Sequence, residues 1–320
     1  MFEVSTPITF EAFMARALHD PQHGYYARRI SAVGRRGDFT TAPMLSEAPA
    51  RAISAWAAMG MKETGCRDLI EIGPGEGTLA AGVLRNLPWP LRWKTRLHLV
   101  ETSVPLAAGQ REILGRRASY HHQIQDALDG CGGKAVIYSN ELVDAFPVRR
   151  FQKTPQGWQE LAVQFDERKL AHESLLTPAP LPDSAGFLDR HLLGQRIEVH
   201  DSYRRFLTDW LPHWKAGRLL TIDYGATAEN LYRRQPGGSI RGYLHQQRLD
   251  GPAIYENPGR QDLTADVNFT DLMHWSQPWV SEQRLTHFGE FLQGLQNVDA
   301  ERLADPLGAG TAFLVLDQKR

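Results

Sequence analysis

The chain has 320 residues and a mass of 36.0 kDa, which fits one large α/β domain with insertions or two modest domains. Hydrophobic residues make up 42% and charged residues 23%, which excludes a disordered, collagen-like or coiled-coil protein. Because 36 Lys and Arg residues are balanced by 37 Asp and Glu residues, the chain lacks the basic excess of a protein that binds nucleic acid.

The two cysteines and the N-terminus indicate the compartment. Cys66 and Cys131 form no CxxC pair, so we expect neither a metal site nor a disulfide. This cysteine usage favours a reducing compartment, and we predict a cytoplasmic protein. Residues 1–13 lack the basic and apolar regions of a signal peptide, and no stretch approaches the roughly 20 apolar residues of a membrane-spanning helix. We therefore predict neither secretion nor membrane insertion.

The first 60 residues predict helices and a lid that precede the main domain, residues 61–320. Residues 8–19 place apolar side chains at helical spacing, and Thr9 is positioned to cap the helix. Residues 31–43 contain too few apolar side chains to bury themselves, so we interpret them as an ordered loop or lid. A second helix is predicted at about 46–60.

The main domain starts with a strand, a glycine turn and a helix. Residues 68–72 form a short apolar run, and residues 78–87 have helical spacing. Strand-type runs recur at 97–101, 119–124 and 135–140, separated by helices or loops. This alternation predicts a Rossmann-like α/β fold, with a parallel sheet that has helices on both faces.

The rhythm changes after residue 146. Period-two runs up to about residue 200 predict an antiparallel insertion, and the turn-rich residues 225–268 predict a second one. The run at 218–224 returns the chain to the core sheet, and the runs at 279–286 and 312–318 predict closing strands. We expect the insertions to form either the interface of a homodimer or a substrate groove.

The glycine turn carries the strongest functional signal. Gly73, Gly75 and Gly77 let the backbone approach a ligand closely, with Glu71 before them and Thr78 after them. Their GxGxG spacing differs from the GxGxxG of dinucleotide-binding proteins, and no Gly-Lys-Ser/Thr of a P-loop follows. The alternative is a tight turn in an α/β protein that binds no nucleotide.

Acidic residues after the next two strands favour a nucleoside ligand. Glu101 ends the run at 97–101, where a carboxylate can accept hydrogen bonds from a ribose diol. This pattern is similar to that of methyltransferases that use S-adenosylmethionine (SAM). Asp126 follows the third strand, where it could accept a hydrogen bond from the adenine amine. Taken alone, Asp126 also fits a solvated loop.

A third group of polar residues follows the fourth strand. Asn140 and Glu141 are predicted to point into the crevice above the glycine turn, and Asp144 lies one turn further on. Asn140 is assigned to the cofactor site. Glu141 and Asp144 are the predicted catalytic residues, because carboxylates can accept hydrogen bonds from a nitrogen nucleophile and align it with the methyl group. The alternative is that both carboxylates cap the following turn.

Seven segments, taken in order, resemble the MidA-type SAM-dependent methyltransferases over about residues 5–317. They are GDFTTAP (37–43), EIGPGEGTLA (71–80), HLVETS (98–103) with Gln110, SNELVDAFPVRRF (139–151), TIDYG (221–225), SIRGYLHQQR (239–248) and PGRQDLTADVNF (258–269). Mitochondrial members of that family are complex I assembly factors associated with arginine methylation. The resemblance implies a seven-stranded class I methyltransferase sheet with family-specific insertions, SAM as cofactor and a protein that presents an arginine as substrate.

Further residues are assigned through the resemblance. Asp38, Phe39 and Thr41 match the family's lid and are expected to lie over the cofactor, although the chain continues with Met44-Leu45-Ser46 where the family commonly has Glu-Ile-Ser. Three residues of the second insertion, Arg241, Tyr243 and His245, are expected to line the substrate entrance. His245 as a general base ranks below Glu141 and Asp144, because a lone histidine in a turn-rich segment is more often exposed.

The sequence thus predicts a SAM-dependent methyltransferase that acts on arginine in a protein partner. Two alternatives stay open. The same crevice would serve a methyltransferase of small molecules, acting on nitrogen or oxygen. The chain could also be an assembly factor that binds SAM without turnover.

Overall fold

The computed structural model describes residues 6–28, 46–168, 170–176, 180–293, 303, 305 and 309–320. The predicted lid lies outside these residues. Three sheets organise the described chain: a large mixed sheet, a five-stranded antiparallel sheet and a three-stranded antiparallel sheet.

The helices and strands are as follows. The helices are α1 (Phe10–His19), α2 (Tyr25–Arg28), α3 (Ala48–Thr64), α4 (Thr78–Asn86), α5 (Trp89–Lys94), α6 (Val104–Leu114), α7 (Ile124–Gly130), α8 (Asp201–Trp210), α9 (Ala228–Arg234), α10 (Phe269–Ser276), α11 (Phe288–Phe291) and α12 (Ala309–Ala312). The strands are β1 (Ile8–Thr9), β2 (Asp68–Ile72), β3 (Arg96–Val100), β4 (Ala118–His121), β5 (Lys134–Asn140), β6 (Arg149–Thr154), β7 (Gly157–Phe165), β8 (Ala171–Leu176), β9 (Arg196–Val199), β10 (Ala216–Ala226), β11 (Arg241–Leu244), β12 (Gln247–Leu249), β13 (Asp262–Thr264), β14 (Val267–Asn268), β15 (Glu282–His287) and β16 (Phe313–Lys319).

The large sheet confirms the predicted fold class. Seven strands follow the order β15-β16-β10-β5-β2-β3-β4, and β14 pairs with the end of β10. Strands β4, β3, β2, β5 and β10 are parallel, whereas β16 is antiparallel to both of its neighbours. The parallel strands bring their carboxyl ends to one edge of the sheet, which is where ligands bind in such folds.

Both faces of the large sheet are buried. Alternate residues of a strand point to opposite faces, and accordingly Leu69 and Ile70 belong to different hydrophobic clusters. Helices α3 and α4 cover one face, and α7, α8 and α10 cover the other. The alternation of buried strands with amphipathic helices therefore fixes the layers as the sequence predicted.

The smaller sheets come from the segments predicted as insertions, together with the N-terminus. Strand β1 pairs with β7 in the five-stranded sheet, and β11 forms the centre of the three-stranded sheet. Thr9 caps α1 as predicted, with its Oγ1 accepting a hydrogen bond from the Ala12 N–H at 3.2 Å. The apolar face of α1 packs against residues of both small sheets and not against the large sheet.

Candidate active site

A cavity of about 1070 Å³ opens above the carboxyl ends of β2, β3, β4 and β5. Its walls come from the glycine turn, the segments that follow β3, β4 and β5, helix α8, and the N-terminal residues from the end of α1 into α2. A volume at the upper end of the usual range for ligand pockets leaves room for a cofactor and part of a second molecule.

The glycine turn forms the floor of this cavity. Gly73, Gly75 and Gly77 all have positive φ angles, of +67°, +54° and +83°. A Cβ atom on Gly73 would lie 2.6 Å from Cδ1 of Leu142, whereas a Cβ on Gly75 would meet nothing within 4 Å. Gly75 therefore faces open cavity, so a ligand can approach its backbone closely.

Glu71 and Thr78 border the turn on either side. The Glu71 carboxyl lines the cavity, is buried, and accepts a hydrogen bond from the Tyr138 hydroxyl at 2.8 Å. Burial raises the pKa of Glu71 to about 8, and the nearby Glu101 also raises it. Thr78 begins α4 and is exposed at the cavity wall.

Glu101 lies where the sequence placed it, directly after β3 and in the cavity wall. Its Oε1 accepts the Ser103 N–H at 2.8 Å, and its own N–H donates to the His121 carbonyl at 3.0 Å. Burial raises the pKa of Glu101 to about 7, partly offset by the backbone N–H donors. The carboxyl is thus held by protein donors in the cavity wall and fits the predicted role of accepting hydrogen bonds from a sugar diol.

Gln110 connects helix α6 to the glycine turn. Its side chain is fully buried, and Nε2 donates to the Gly75 carbonyl at 2.7 Å. A Cβ on Gly77 would lie 3.2 Å from Cγ of Gln110. The absence of a side chain at Gly77 therefore lets α6 pack against the turn.

Asp126 is placed differently from the prediction. It lies in the first turn of α7, is exposed, and does not line the cavity. The wall at this position is formed by His122, Gln123, Ile124 and Gln125. The helix begins early enough to turn Asp126 toward solvent, so the expected contact with an adenine amine is not formed in this arrangement.

Asn140 and Glu141 meet in the cavity at the end of β5. The Asn140 Nδ2 donates to Oε1 of Glu141 at 3.0 Å, and both residues line the cavity. The Glu141 backbone adopts a left-handed conformation with φ of +51°, and its N–H donates to the Ile222 carbonyl at 2.9 Å. The structure therefore brings this carboxylate and amide to the same cavity as Glu101 and the glycine turn.

The structure places Asp144, the second residue of the predicted catalytic pair, outside the cavity lining. It is buried and does not line the cavity. Burial raises its pKa well above the usual range, and the neighbouring carboxyls of Asp223 and Asp262 raise it further. Because the loop after β5 turns at Glu141, the two carboxylates lie on different sides of the cavity wall, and Asp144 does not face the position of an acceptor.

The three residues predicted at the substrate entrance do not line the cavity either. Arg241 is buried in the three-stranded sheet, where it pairs with Asp266 and donates from Nε to the Tyr243 hydroxyl at 3.0 Å. His245 is exposed in the turn between β11 and β12, with φ of +50°. The Arg241 guanidinium turns toward Asp266 and the Tyr224 ring, so these contacts hold it outside the cavity wall.

The N-terminal segment supplies cavity residues that the sequence analysis missed. His19 and Tyr26 line the cavity, and their rings stack with centroids 5.5 Å apart. The Tyr26 hydroxyl donates to Oδ1 of Asp262 at 3.1 Å, and its carbonyl accepts from Oγ of Ser103 at 3.0 Å. The sequence around Tyr26, DPQHGYY (20–26), gives little indication of this role, because nothing in the spacing of its residues predicts a contact with Ser103 or Asp262.

Helix α8 supplies the opposite wall. Ser202, Phe206 and Asp209 line the cavity at helical spacing. Phe206 packs against Phe146 with ring centroids 5.3 Å apart, and Oγ of Ser202 donates to the Pro147 carbonyl at 2.7 Å. An aromatic lobe therefore adjoins the polar pair at the end of β5.

Two further observations concern the described residues as a whole. Among them, no group of three or more His, Cys, Asp and Glu side chains is arranged to hold a metal ion. None of the helices in the described ranges has the length and apolar character needed to cross a bilayer.

Comparison with known proteins identifies similar chains. Residues 50–283 match the model of a family described as "Putative S-adenosyl-L-methionine-dependent methyltransferase". The "Protein arginine methyltransferase NDUFAF7, mitochondrial" of mouse is 28% identical over 342 residues, covering 96% of this chain and 75% of the mouse protein. Its fruit-fly homologue, also named mitochondrial, is 27% identical over 372 residues, covering 97% of this chain and 81% of that protein.

A solved structure supports the fold and the ligand class. A Burkholderia thailandensis protein, crystallised with S-adenosyl-homocysteine, is 25% identical and superimposes with a TM-score of 0.84. The match covers 98% of this chain and 88% of that chain.

The comparisons also correct the predicted compartment. The mouse, rat and fruit-fly relatives are all named as mitochondrial proteins, which contradicts the cytoplasmic prediction. The prediction was wrong because two unpaired cysteines exclude a disulfide-rich secreted protein but do not distinguish one reducing compartment from another.

Proposed function

Because the chain belongs to the family of SAM-dependent methyltransferases, as its match over residues 50–283 shows, we propose that it methylates arginine on a protein partner. The mouse and fruit-fly relatives are named protein arginine methyltransferases, which supports this acceptor. The observation that carries the proposal is that Asn140 and Glu141 line the same cavity as the glycine turn and Glu101.

The residues present fit SAM. Gly75 leaves open space where a side chain would stand, and Glu101 presents its carboxyl in the cavity wall. Gly73, Gly75 and Glu71 would hold the amino-acid end, Glu101 the ribose, and residues 123–125 the adenine. Bound SAM supplies an electrophilic methyl group on a sulfonium. Asp38, Phe39 and Thr41 remain predicted contacts from the lid.

Glu141 and Asn140 would orient the acceptor. Methyl transfer forms a nitrogen–carbon bond, breaks the sulfur–carbon bond, and leaves S-adenosyl-homocysteine. A carboxylate that accepts hydrogen bonds from a guanidinium directs one nitrogen lone pair along the required line, and orientation of this kind can contribute about 7–11 kcal/mol to lowering a barrier. Glu141 is also the carboxylate positioned to receive the proton that the methylated nitrogen releases.

The aromatic lobe would hold the rest of the acceptor side chain. Phe146 and Phe206 form it, and the exposed Asp209 lies on the same helix as Phe206. Aromatic faces attract a guanidinium and pack against its aliphatic stem. An arginine that enters between α8 and the β5 loop would thus reach Glu141 with its charged group foremost.

The test is transfer of labelled methyl groups. The purified protein is incubated with SAM labelled on the methyl group and with an extract of the organism that encodes it, and labelled peptides are sequenced by mass spectrometry. We expect label on arginine of one or a few proteins, with Glu141→Gln lowering the rate at least 100-fold and leaving SAM affinity within about threefold. Glu112→Gln, an exposed substitution on α6, is the matched control.

The other outcomes identify the alternatives. Label on a metabolite in place of a protein would indicate a small-molecule methyltransferase. SAM binding with no label on any component of the extract would indicate an assembly factor without turnover. An equal loss of SAM affinity and rate in Glu141→Gln would move Glu141 to the cofactor site.

A further inference from the structure

The carboxylate of Asp223, near the end of β10, lies beneath the loop that carries Glu141. Strand β10 runs parallel to β5 with Ile222 opposite Asn140, so Asp223 lies one residue beyond the last pair. Its side chain is fully buried. Oδ2 accepts hydrogen bonds from the backbone N–H groups of Leu142, Val143 and Asp144, at 3.1, 2.8 and 3.4 Å. One carboxylate oxygen thus satisfies three consecutive donors of the loop.

These hydrogen bonds compensate for an unfavourable backbone conformation. Glu141 has φ of +51°, a region that residues with a side chain rarely adopt, and such strain persists only where surrounding contacts enforce it. The Ile222 carbonyl fixes the Glu141 N–H at 2.9 Å, and Asp223 fixes the next three N–H groups. Successive N–H groups that converge on one anion form a stable concave arrangement.

The same loop joins the two halves of the cavity. On the cofactor side, the Leu142 side chain packs against Gly73 so closely that a Cβ there would lie 2.6 Å away. On the acceptor side, the His19 ring donates to the Ala145 carbonyl, and Phe146 contacts Phe206. A shift of the backbone at 142–144 would therefore move Glu141 relative to both walls.

We propose that Asp223 is a positioning residue for methyl transfer: by binding the N–H groups of residues 142–144, it holds Glu141 in the left-handed conformation that aims its carboxylate into the cavity. Asp223 itself does not line the cavity. This inference rests on the proposed function for the role of Glu141 as the group that orients the acceptor.

The experiment compares Asp223 with an equally buried carboxylate remote from the cavity. Asp271, at the start of α10, accepts hydrogen bonds from Oγ of Ser184 at 2.6 Å and from the Ala185 N–H at 2.7 Å, and none of these residues lines the cavity. Asp223→Asn, Asp223→Ala and the control Asp271→Asn are each prepared as the full chain. Backbone hydrogen exchange is followed at residues 142–144 and 184–185, with and without S-adenosyl-homocysteine.

The expected result is specific to the loop. Loss of hydrogen bonds to a charged acceptor should raise exchange at 142–144 at least tenfold in Asp223→Ala and by a smaller factor in Asp223→Asn. Asp271→Asn should raise exchange at 184–185 only. In the labelling assay, Asp223→Asn should lower kcat at least tenfold while the KM for SAM changes less than threefold, because the glycine turn and Glu101 are intact.

Failure of this inference is distinguishable from failure of the proposed function. Unchanged exchange at 142–144 in both Asp223 variants would overturn the inference, and so would a normal kcat in Asp223→Asn despite faster exchange. Equal increases at 142–144 in Asp271→Asn would also overturn it, by showing that exchange reports general loss of stability. A wild-type protein that labels nothing would instead refute the proposed function.

Discussion

Glu101 shows how burial can make a binding residue sensitive to pH. Its pKa is raised to about 7 by burial, so the carboxyl becomes protonated as the pH falls through about 7. The protonated form is a weaker acceptor for the ribose hydroxyls than the carboxylate. We predict that SAM affinity is highest above pH 7 and falls progressively below it.

A substitution at Glu101 separates the effect of the charge of its carboxylate on SAM binding from the effect of its size. Glu101→Gln keeps the size of the side chain but removes the charge, and it should weaken SAM binding by about 1.5–3 kcal/mol at pH 8. The loss of affinity centred near pH 7 should then disappear, and the pH dependence that remains should come from Glu71, whose pKa is about 8. Calorimetric titration at several pH values provides the measurement, with exposed Glu112→Gln as control. An unchanged affinity in Glu101→Gln would show that the ribose lies elsewhere.

At the scale of single elements, the glycine turn can be tested against a matched glycine. Gly75 and Gly65, the residue that ends α3, have φ of +54° and +69°, and a Cβ on either would meet no protein atom within 4 Å. Substitution by alanine should therefore cost each about 1–2 kcal/mol of unfolding free energy, from the left-handed backbone alone. Only Gly75→Ala should also weaken SAM binding, because Gly75 lines the cavity and Gly65 does not.

Denaturant titration and calorimetry measure these two effects separately. Equal losses of SAM affinity in Gly75→Ala and Gly65→Ala would mean that the turn does not contact the ligand. Gly73→Ala should be more damaging to stability than either, because its Cβ would overlap the Leu142 side chain.

At the scale of the whole molecule, the cavity joins parts of the chain that belong to different hydrophobic clusters. Its walls include the glycine turn of the large sheet, helix α8 and Tyr26 beside the small sheets. A ligand that bridges these walls should stabilise the folded state. At a free concentration 100 times its Kd, S-adenosyl-homocysteine should add about 2.7 kcal/mol to the free energy of unfolding.

Thermal unfolding with increasing S-adenosyl-homocysteine measures this stabilisation. The Tm should rise continuously with ligand concentration in the wild type and in Gly65→Ala, and less in Gly75→Ala at the same concentration. A wild-type Tm that stays constant at saturating ligand would contradict the assignment of the cavity.

The amino-acid sequence by itself determined the large sheet, its glycine turn and the residues that end its strands. Glu71, Glu101 and Asn140 were predictable because strand periodicity and turn chemistry are local, and parallel strands bring their carboxyl ends to one edge. The family resemblance added the acceptor class and the seven strands.

Only the tertiary structure decided which neighbouring side chains reach the cavity. Glu141, with its left-handed backbone, enters it and Asp144 does not, and the N–H groups that follow Glu141 bond to Asp223, about 80 residues later in the sequence. Tyr26 and Phe206 enter it through the packing of distant segments, whereas Arg241 is held away from it by Asp266 and the Tyr224 ring. Periodicity specifies which face of an element is buried, but the direction of a loop side chain depends on contacts between residues far apart in the chain.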